Sequence, residues 1–361
     1  MHDICIFVTV SIASPLRGPS NLRIDPMNFP GKATTAQDPD ALLALYADCT
    51  LCPRRCHADR REGKRGYCGE SASLRCARAG LHMWEEPVLS GTGGSGTVFF
   101  SGCSLRCIYC QNRTIALGEK GYETSSERLS EVFLELQAKG AHNINLVTGA
   151  HFLPHICIAL RRARGEGLHI PVLYNSSGYE EVESLRLLEG LADLYLPDLK
   201  YFSPELSARY SHAPDYFEVA FAAITEMVRQ VGEPVFSGDG MMQRGVIVRH
   251  MVLPGETRDS KKILRRLHEA FGDRIYISIM SQYTPIGAFP SDPLLERRVT
   301  PEEYARVVRF AEQIGITCGF VQEGEVAEES FIPAFDGTGI LPAREDAPDQ
   351  AHKPAPEGTD Q

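Results

Sequence analysis

From residue 97 onward, short strand-like runs alternate with amphipathic helical stretches, a pattern that restricts the fold more tightly than any other. TVFFS, NINLV, IPVLYN, ADLYLP, GVIVRHMVLPG and RIYISIM are rich in β-branched and aromatic residues and read as strands. Between them, ETSSERLSEVFLELQAKG places Leu129, Val132, Phe133 and Leu136 on one helical face, with Thr124 and Glu127 spaced as a capping box and Gly140 as a stop. Further helices are expected near 153-165, 179-190, 259-271 and 301-314, with a longer helical passage at DYFEVAFAAITEMVRQVG. Six β-α units in series imply a parallel sheet with helices outside it. Eight such units close a barrel, so the expected fold is α/β, a partial (β/α)6 TIM-like barrel with a lateral opening and a site at the C-terminal strand ends.

The loop after the first of these strands carries that chemistry. GTVFFSGCSLRCIYCQNRT sets Cys103, Cys107 and Cys110 as C-x3-C-x2-C, with Tyr109 before the third. Three thiolates suit zinc or an iron-sulfur cluster equally, and both want four ligands when the shell is closed. A protein that supplies three leaves one position for something else. The glycines of GTGGSG (91-96) precede the strand, whereas a dinucleotide-binding fingerprint lies between strand and helix; they read as an entry turn.

A second group precedes the barrel. CTLCPRRCHADRREGKRGYCGE spaces Cys49, Cys52, Cys56 and Cys68 as C-x2-C-x3-C-x11-C, with Cys76 a possible substitute. Four thiolates fit a structural zinc or a coordinatively saturated auxiliary [4Fe-4S] cluster, and the spacing does not choose between them. Arg54, Arg55, Arg60, Arg61, Lys64 and Arg65 would offset thiolate charge, although runs of this kind are commonly solvated. Cys5, Cys157 and Cys318 read as isolated.

Composition narrows the partners. With 361 residues, 43% of them hydrophobic, the chain holds one large core and a smaller unit. A formal net charge of -10 argues against specific nucleic-acid partners and against anionic membranes. Eleven cysteines, most of them in short clustered spacings between Cys49 and Cys110, suggest metal ligation in a reducing, cytoplasmic compartment. The start, MHDICIFVTVSIASP, lacks a basic region and is too brief to span a bilayer, so it is discounted as a signal peptide; Met27 is an alternative start. The expected organisation is a disordered extension at 1-40, a Cys-rich metal-binding segment at 41-90, the barrel at 91-335 and a disordered tail at 336-361.

In these motifs the chain resembles the radical S-adenosylmethionine (AdoMet, SAM) superfamily, in particular its pyruvate formate-lyase activating enzyme-like, PflX-type branch. The matching stretches are EEPVLSGTGGSGTVFFSGCSLRCIYCQN, NLVTGAH, LYNSSGYE, DLYLPDLKYF and VIVRHMVLPG. The resemblance implies an oxidoreductase with a [4Fe-4S] cluster on Cys103, Cys107 and Cys110, whose open iron takes the amine and carboxylate of AdoMet. Reductive cleavage of AdoMet then yields methionine and a 5′-deoxyadenosyl radical that abstracts hydrogen. It further implies AdoMet contacts from Thr148, Gly149 and His151, which stand where relatives carry Gly-Gly-Glu, from the Asp198 and Lys200 pair, and from Arg249; Asn175 and Ser177 after the third strand are placed either to hydrogen-bond ribose or methionine carboxylate or to cap their own turn. Thr284 stands where the activating enzymes have a histidine. The implied partners are a protein or peptide substrate, in the activase case an enzyme receiving a glycyl radical, and a flavodoxin- or ferredoxin-type electron donor. A radical AdoMet enzyme acting on a small metabolite or another macromolecule is the alternative. A zinc-binding or electron-transfer module is the non-enzymatic one.

Overall fold

The computed structural model describes residues 38–322 and 333–341. Its strands are β1 (Arg75–His82), β2 (Ser95–Phe100), β3 (Tyr122–Glu123), β4 (Ile144–Val147), β5 (Val172–Ser176), β6 (Leu194–Pro197), β7 (Val235–Phe236), β8 (Met242–Met251), β9 (Tyr276–Met280) and β10 (Gly319–Val321). The helices are α1 (Pro39–Ala44), α2 (Pro87–Ser90), α3 (Arg113–Ala116), α4 (Ser126–Ala138), α5 (Leu153–Gly165), α6 (Val182–Leu185), α7 (Pro204–Ser211), α8 (Tyr216–Val231), α9 (Thr257–Phe271) and α10 (Pro301–Gln313).

The sheet runs β10-β9-β8-β6-β5-β4-β2-β1-β3. All pairings from β2 through β10 along this path are parallel, so the six expected strands are present and β10 adds a short seventh. Helices cover the outer face, and every residue of β2 is buried, as a strand inside such a layer requires. The sheet curls without closing. Gln111, in the loop after β2, donates from Nε2 to the carbonyl of Gln282, after β9, at 3.3 Å, and the Tyr109 and Tyr283 rings meet edge to face at 5.8 Å. Loops from nearly opposite ends of the strand order therefore touch over the C-terminal strand ends.

Local detail departs from expectation in several places. Ser125, not Thr124, caps α4, accepting from the Arg128 amide at 3.1 Å. The capping box that does form joins Thr300 and Glu303 at α10. The Cys-rich segment does not end at residue 90: β1 pairs antiparallel with β2 from Cys76↔Phe100 to His82↔Ser95 and extends the barrel sheet. Cys76 is thereby a fully buried core residue of β1, its thiol pushed up by burial alone. At the other boundary, residues 336-341 of the expected disordered tail pack on β1: the Gly337 amide donates to Ala77 O at 3.0 Å and the Ala79 amide to Thr338 O at 2.8 Å. The rest of that tail, nearly all of the N-terminal extension, Cys5 and Met27 lie outside the described residues. Among the described residues, no helix is long and apolar enough to cross a membrane.

Candidate metal centre and ligand cavity

The loop Ser101–Asn112 leaves β2 through Gly102, at φ 81°. A Cβ there would lie 2.5 Å from Glu70 Cγ and 2.8 Å from the Cys68 carbonyl, so only glycine lets the two cysteine-bearing segments approach. Cys103 is buried and Cys107 and Cys110 are half-buried, at the wall of a cavity of about 560 Å³ that all three line. The Cys103 thiol is pushed up to about 11 and the Cys110 thiol to about 12, first by burial and then by the neighbouring sulfur charges. Backbone donors oppose this at two of the sulfurs, the Leu105 amide to Cys103 at 3.4 Å and the Asn112 backbone at Cys110, and the Ser211 hydroxyl donates to Cys107 at 3.1 Å. Buried sulfurs met by N–H and O–H donors are suited to thiolates bound to a positive group, which supplies the charge that burial otherwise forbids.

The loops after β5 and β6 face this wall. Gly178, at φ 77°, would place a Cβ 2.1 Å from the Asp198 carbonyl, so the two loops close on each other. The Tyr216 hydroxyl of α8 fastens them, lying 2.8 and 2.9 Å from the carbonyls of Ser177 and Asp198 and accepting from the Lys200 amide at 3.0 Å. The Lys200 ammonium pairs with the Asp198 carboxylate. Burial would lower this ammonium, but the charges of Asp198 and Cys107 outweigh it and hold the group well above the usual lysine range. Thr148, Asn175, Ser177, Asp198, Lys200, Arg249 and Thr284 all line the cavity.

Two expected contacts are corrected. Gly149 is not among the residues lining the cavity, and a Cβ there would sit 2.5 Å from Ile156 Cδ1, so the glycine allows close packing on α5. His151 is 1% exposed and lies behind the cysteine loop, with Nε2 2.6 Å from the Ser101 carbonyl and its ring against Phe152. Burial, helped by the Arg60 charge, lowers it to about 3, so it is neutral at neutral pH. Arg249 does reach the cavity, but its guanidinium is already held: it pairs with Glu85 and with both oxygens of Glu86, at 2.8 and 2.6 Å. These carboxylates come from the EEP stretch ahead of α2. Glu85 brings a carboxylate to the cavity lining, and Glu86 holds Arg249 from outside it.

The upstream cysteines sit differently. Cys49, Cys52 and Cys68 are buried and Cys56 is exposed. Burial pushes the Cys52 thiol up to about 12 and also raises Cys68. Of the six basic residues, Arg60 is the buried one beside them, 1% exposed. It donates to Ser71 O at 2.7 Å and His151 O at 2.6 Å, lies 3.7 Å from Cys49 Sγ, and covers the Tyr46 ring. Burial lowers Arg60, and the Cys68, Tyr46 and Cys49 charges more than reverse this. Arg54 bridges the segments, donating to the carbonyls of Ser104 and Ser211, both at 2.9 Å. Arg61, Lys64 and Arg65 are exposed, the solvated outcome. Cys157 is a core residue of α5 and Cys318 precedes β10.

Residues 97–267 match the family described as the Radical SAM superfamily. An uncharacterized protein of Methanocaldococcus jannaschii is 28% identical over 280 residues, covering 75% of this chain and 76% of that protein. Pyruvate formate-lyase-activating enzyme of Clostridium pasteurianum is 25% identical over 185 residues, 50% of this chain and 70% of that enzyme. Among solved structures, Streptococcus suis SuiB bound to precursor peptide SuiA has a TM-score of 0.42 at 14% identity, covering 62% of this chain and 46% of that one. Methylornithine synthase has a TM-score of 0.42 at 14% identity, with 76% and 70% covered. With the cysteine loop following the first parallel strand of an open β/α barrel, the chain carries a radical SAM domain, similar in sequence to pyruvate formate-lyase-activating enzyme.

Proposed function

We propose that Cys103, Cys107 and Cys110 hold a [4Fe-4S] cluster and that AdoMet occupies the adjoining cavity. When bound, these groups supply reductive cleavage of AdoMet and a 5′-deoxyadenosyl radical for hydrogen abstraction. The observation that carries the reading is the convergence, on one cavity of about 560 Å³, of the three cysteines with Asp198, Lys200 and Arg249 from the ends of β6 and β8. Lys200 suits the AdoMet carboxylate. Asp198 suits the amine, and Asn175, Ser177 and Thr148 offer hydrogen bonds to ribose or methionine atoms. AdoMet carries a sulfonium and an amine against one carboxylate, a net positive charge. The wall carries two formal carboxylates, Asp198 and Glu85, against two cations, Lys200 and Arg249, while Glu86 pairs with Arg249 from outside the lining. The Cys-rich segment at 41-90 would hold a second metal group, a [4Fe-4S] cluster or zinc, with Arg60 offsetting its thiolate charge.

The substrate we favour is a protein or peptide, with glycyl-radical activation of a partner enzyme as its specific form, because the sheet is open at its side and the activating enzyme is a sequence relative. A flavodoxin or ferredoxin would supply the electron, in the cytoplasm. The test is anaerobic reconstitution and reduction, followed by assay of 5′-deoxyadenosine with candidate peptides deuterated at glycine. Deuterium in 5′-deoxyadenosine identifies the substrate. Label transfer only from a small metabolite would move the substrate assignment. No cleavage with any candidate, in protein shown to hold its cluster and AdoMet, would sink the enzymatic reading.

A further inference from the structure

A chain of buried hydroxyls ends on one of the three cavity cysteines. Ser211 Oγ donates to Cys107 Sγ at 3.1 Å, Tyr201 Oη lies 2.8 Å from Ser211 Oγ, and Tyr109 Oη lies 2.6 Å from Tyr201 Oη. Each hydroxyl has a single proton to give. A thiolate only accepts, so the Ser211 proton is committed to sulfur and Ser211 oxygen accepts from Tyr201. By the same count, Tyr201 accepts from Tyr109. The chain has one direction, Tyr109 to Tyr201 to Ser211 to Cys107. Hydrogen bonds in series polarise one another, so each upstream hydroxyl makes the next a stronger donor.

The surroundings hold this order in place. Ser211 and Tyr201 are fully buried and Tyr109 is 4% exposed, so water does not compete for the donors. Tyr109 packs edge to face on Tyr201, Tyr210 and Tyr283. Ser211 is the last residue of α7, where His212 turns left-handed at φ 51°. Its position is fixed from two sides: the Ile108 amide donates to Tyr210 O at 2.9 Å, and Arg54 donates to Ser211 O. The relay thus ties the cysteine loop, the end of α7 and the upstream segment to a single sulfur.

We propose that Ser211 is a positioning residue that sets the reduction potential of the cluster through Cys107, with Tyr201 and Tyr109 reinforcing it. This rests on the reading that Cys107 is a cluster ligand. Reduction adds negative charge to the cluster and its sulfurs, and a donor at a ligand sulfur stabilises the reduced form more than the oxidised one. The donor chain therefore raises the potential and eases the entry of the electron.

The test is the midpoint potential of the reconstituted full chain without AdoMet, followed by electron paramagnetic resonance during redox titration. Wild type is compared with Ser211→Ala, Tyr201→Phe and Tyr109→Phe at equal iron and sulfide. The expected result is a shift to more negative potential, largest for Ser211→Ala, smaller for Tyr201→Phe and smallest for Tyr109→Phe, with the melting temperature little changed in the two phenylalanine variants. A purely structural role would not give this graded series. An unchanged or more positive potential in a loaded Ser211→Ala overturns the proposal while leaving the cluster reading intact. If Ser211→Ala takes up no cluster, Tyr201→Phe decides by the same criterion. A wild type that binds no iron and sulfide overturns the cluster reading, and the proposal with it.

Discussion

Two cysteine segments of this chain press against each other at Gly102, yet they face opposite environments. The loop after β2 puts three sulfurs on the wall of a large cavity, opposite a lysine, an arginine and several hydroxyls supplied by other strands. The segment before β1 buries three of its four cysteines beside Arg60, which lies under Tyr46 and bonds to backbone carbonyls. In the first, three cysteines border open volume with room for a reactant. In the second, a buried protein cation stands beside the sulfurs. The same residue type therefore meets a cavity in one segment and a fixed positive charge in the other.

The largest expected effect separates the two directly. Cys107→Ala should abolish 5′-deoxyadenosine formation, exceeding the roughly 10- to 100-fold that outer partners of a metal site cost. Cys52→Ala should retain measurable cleavage while losing bound metal. Equal loss of cleavage in both would erase the distinction drawn here.

Next comes Arg60→Leu. Removing one partner from a buried charge group costs about 3–5 kcal/mol, so the metal-loaded variant should melt well below wild type. If it melts with wild type, Arg60 is not the counter-charge of the upstream thiolates.

A third test addresses the seam between the segments. His151 bonds the carbonyl before Gly102 through its ring and Arg60 through its own carbonyl. Its folded value of about 3 lies below the ordinary histidine range, so its stabilising contribution is complete above about pH 6.5 and is lost as pH falls toward 3. His250, lowered to about 4 by burial, acts in the same direction. His151→Gln should therefore lose less stability than wild type between pH 7.5 and 4.5, by at most a few kcal/mol, measured by thermal melts. An equally steep acid loss would assign the acid sensitivity elsewhere.

The smallest effect belongs to the cavity. Lys200→Met should weaken AdoMet binding by about tenfold, near 1.4 kcal/mol, by equilibrium titration. Unchanged affinity would remove Lys200 from the carboxylate contact.

Sequence patterning found the six central strands because their β-branched runs are bounded by turns and separated by helices of clear period. It missed β1, since RCARAGLH has no β-branched residue and draws its order from pairing with β2, and it missed β3 and β10 because two or three residues carry no period. The cysteine loop was legible because its ligands are near neighbours in sequence. Glu86 with Arg249 and Ser211 with Cys107 were not, because their partners lie 163 and 104 positions away and meet only when the sheet curls. His151 misled for the related reason that a polar side chain after a strand reads as facing the site, whereas the fold turns it behind the loop.

The most direct test of the account is the electron paramagnetic resonance of the reduced cluster with AdoMet labelled with ¹⁵N at its amine, measured by electron-nuclear double resonance. A nitrogen coupling is expected in wild type and in Cys52→Ala, because a cluster held by Cys103, Cys107 and Cys110 would meet AdoMet in the cavity those residues line. Bound AdoMet with no nitrogen coupling, or a coupling that Cys52→Ala removes while Cys107→Ala keeps, would contradict it.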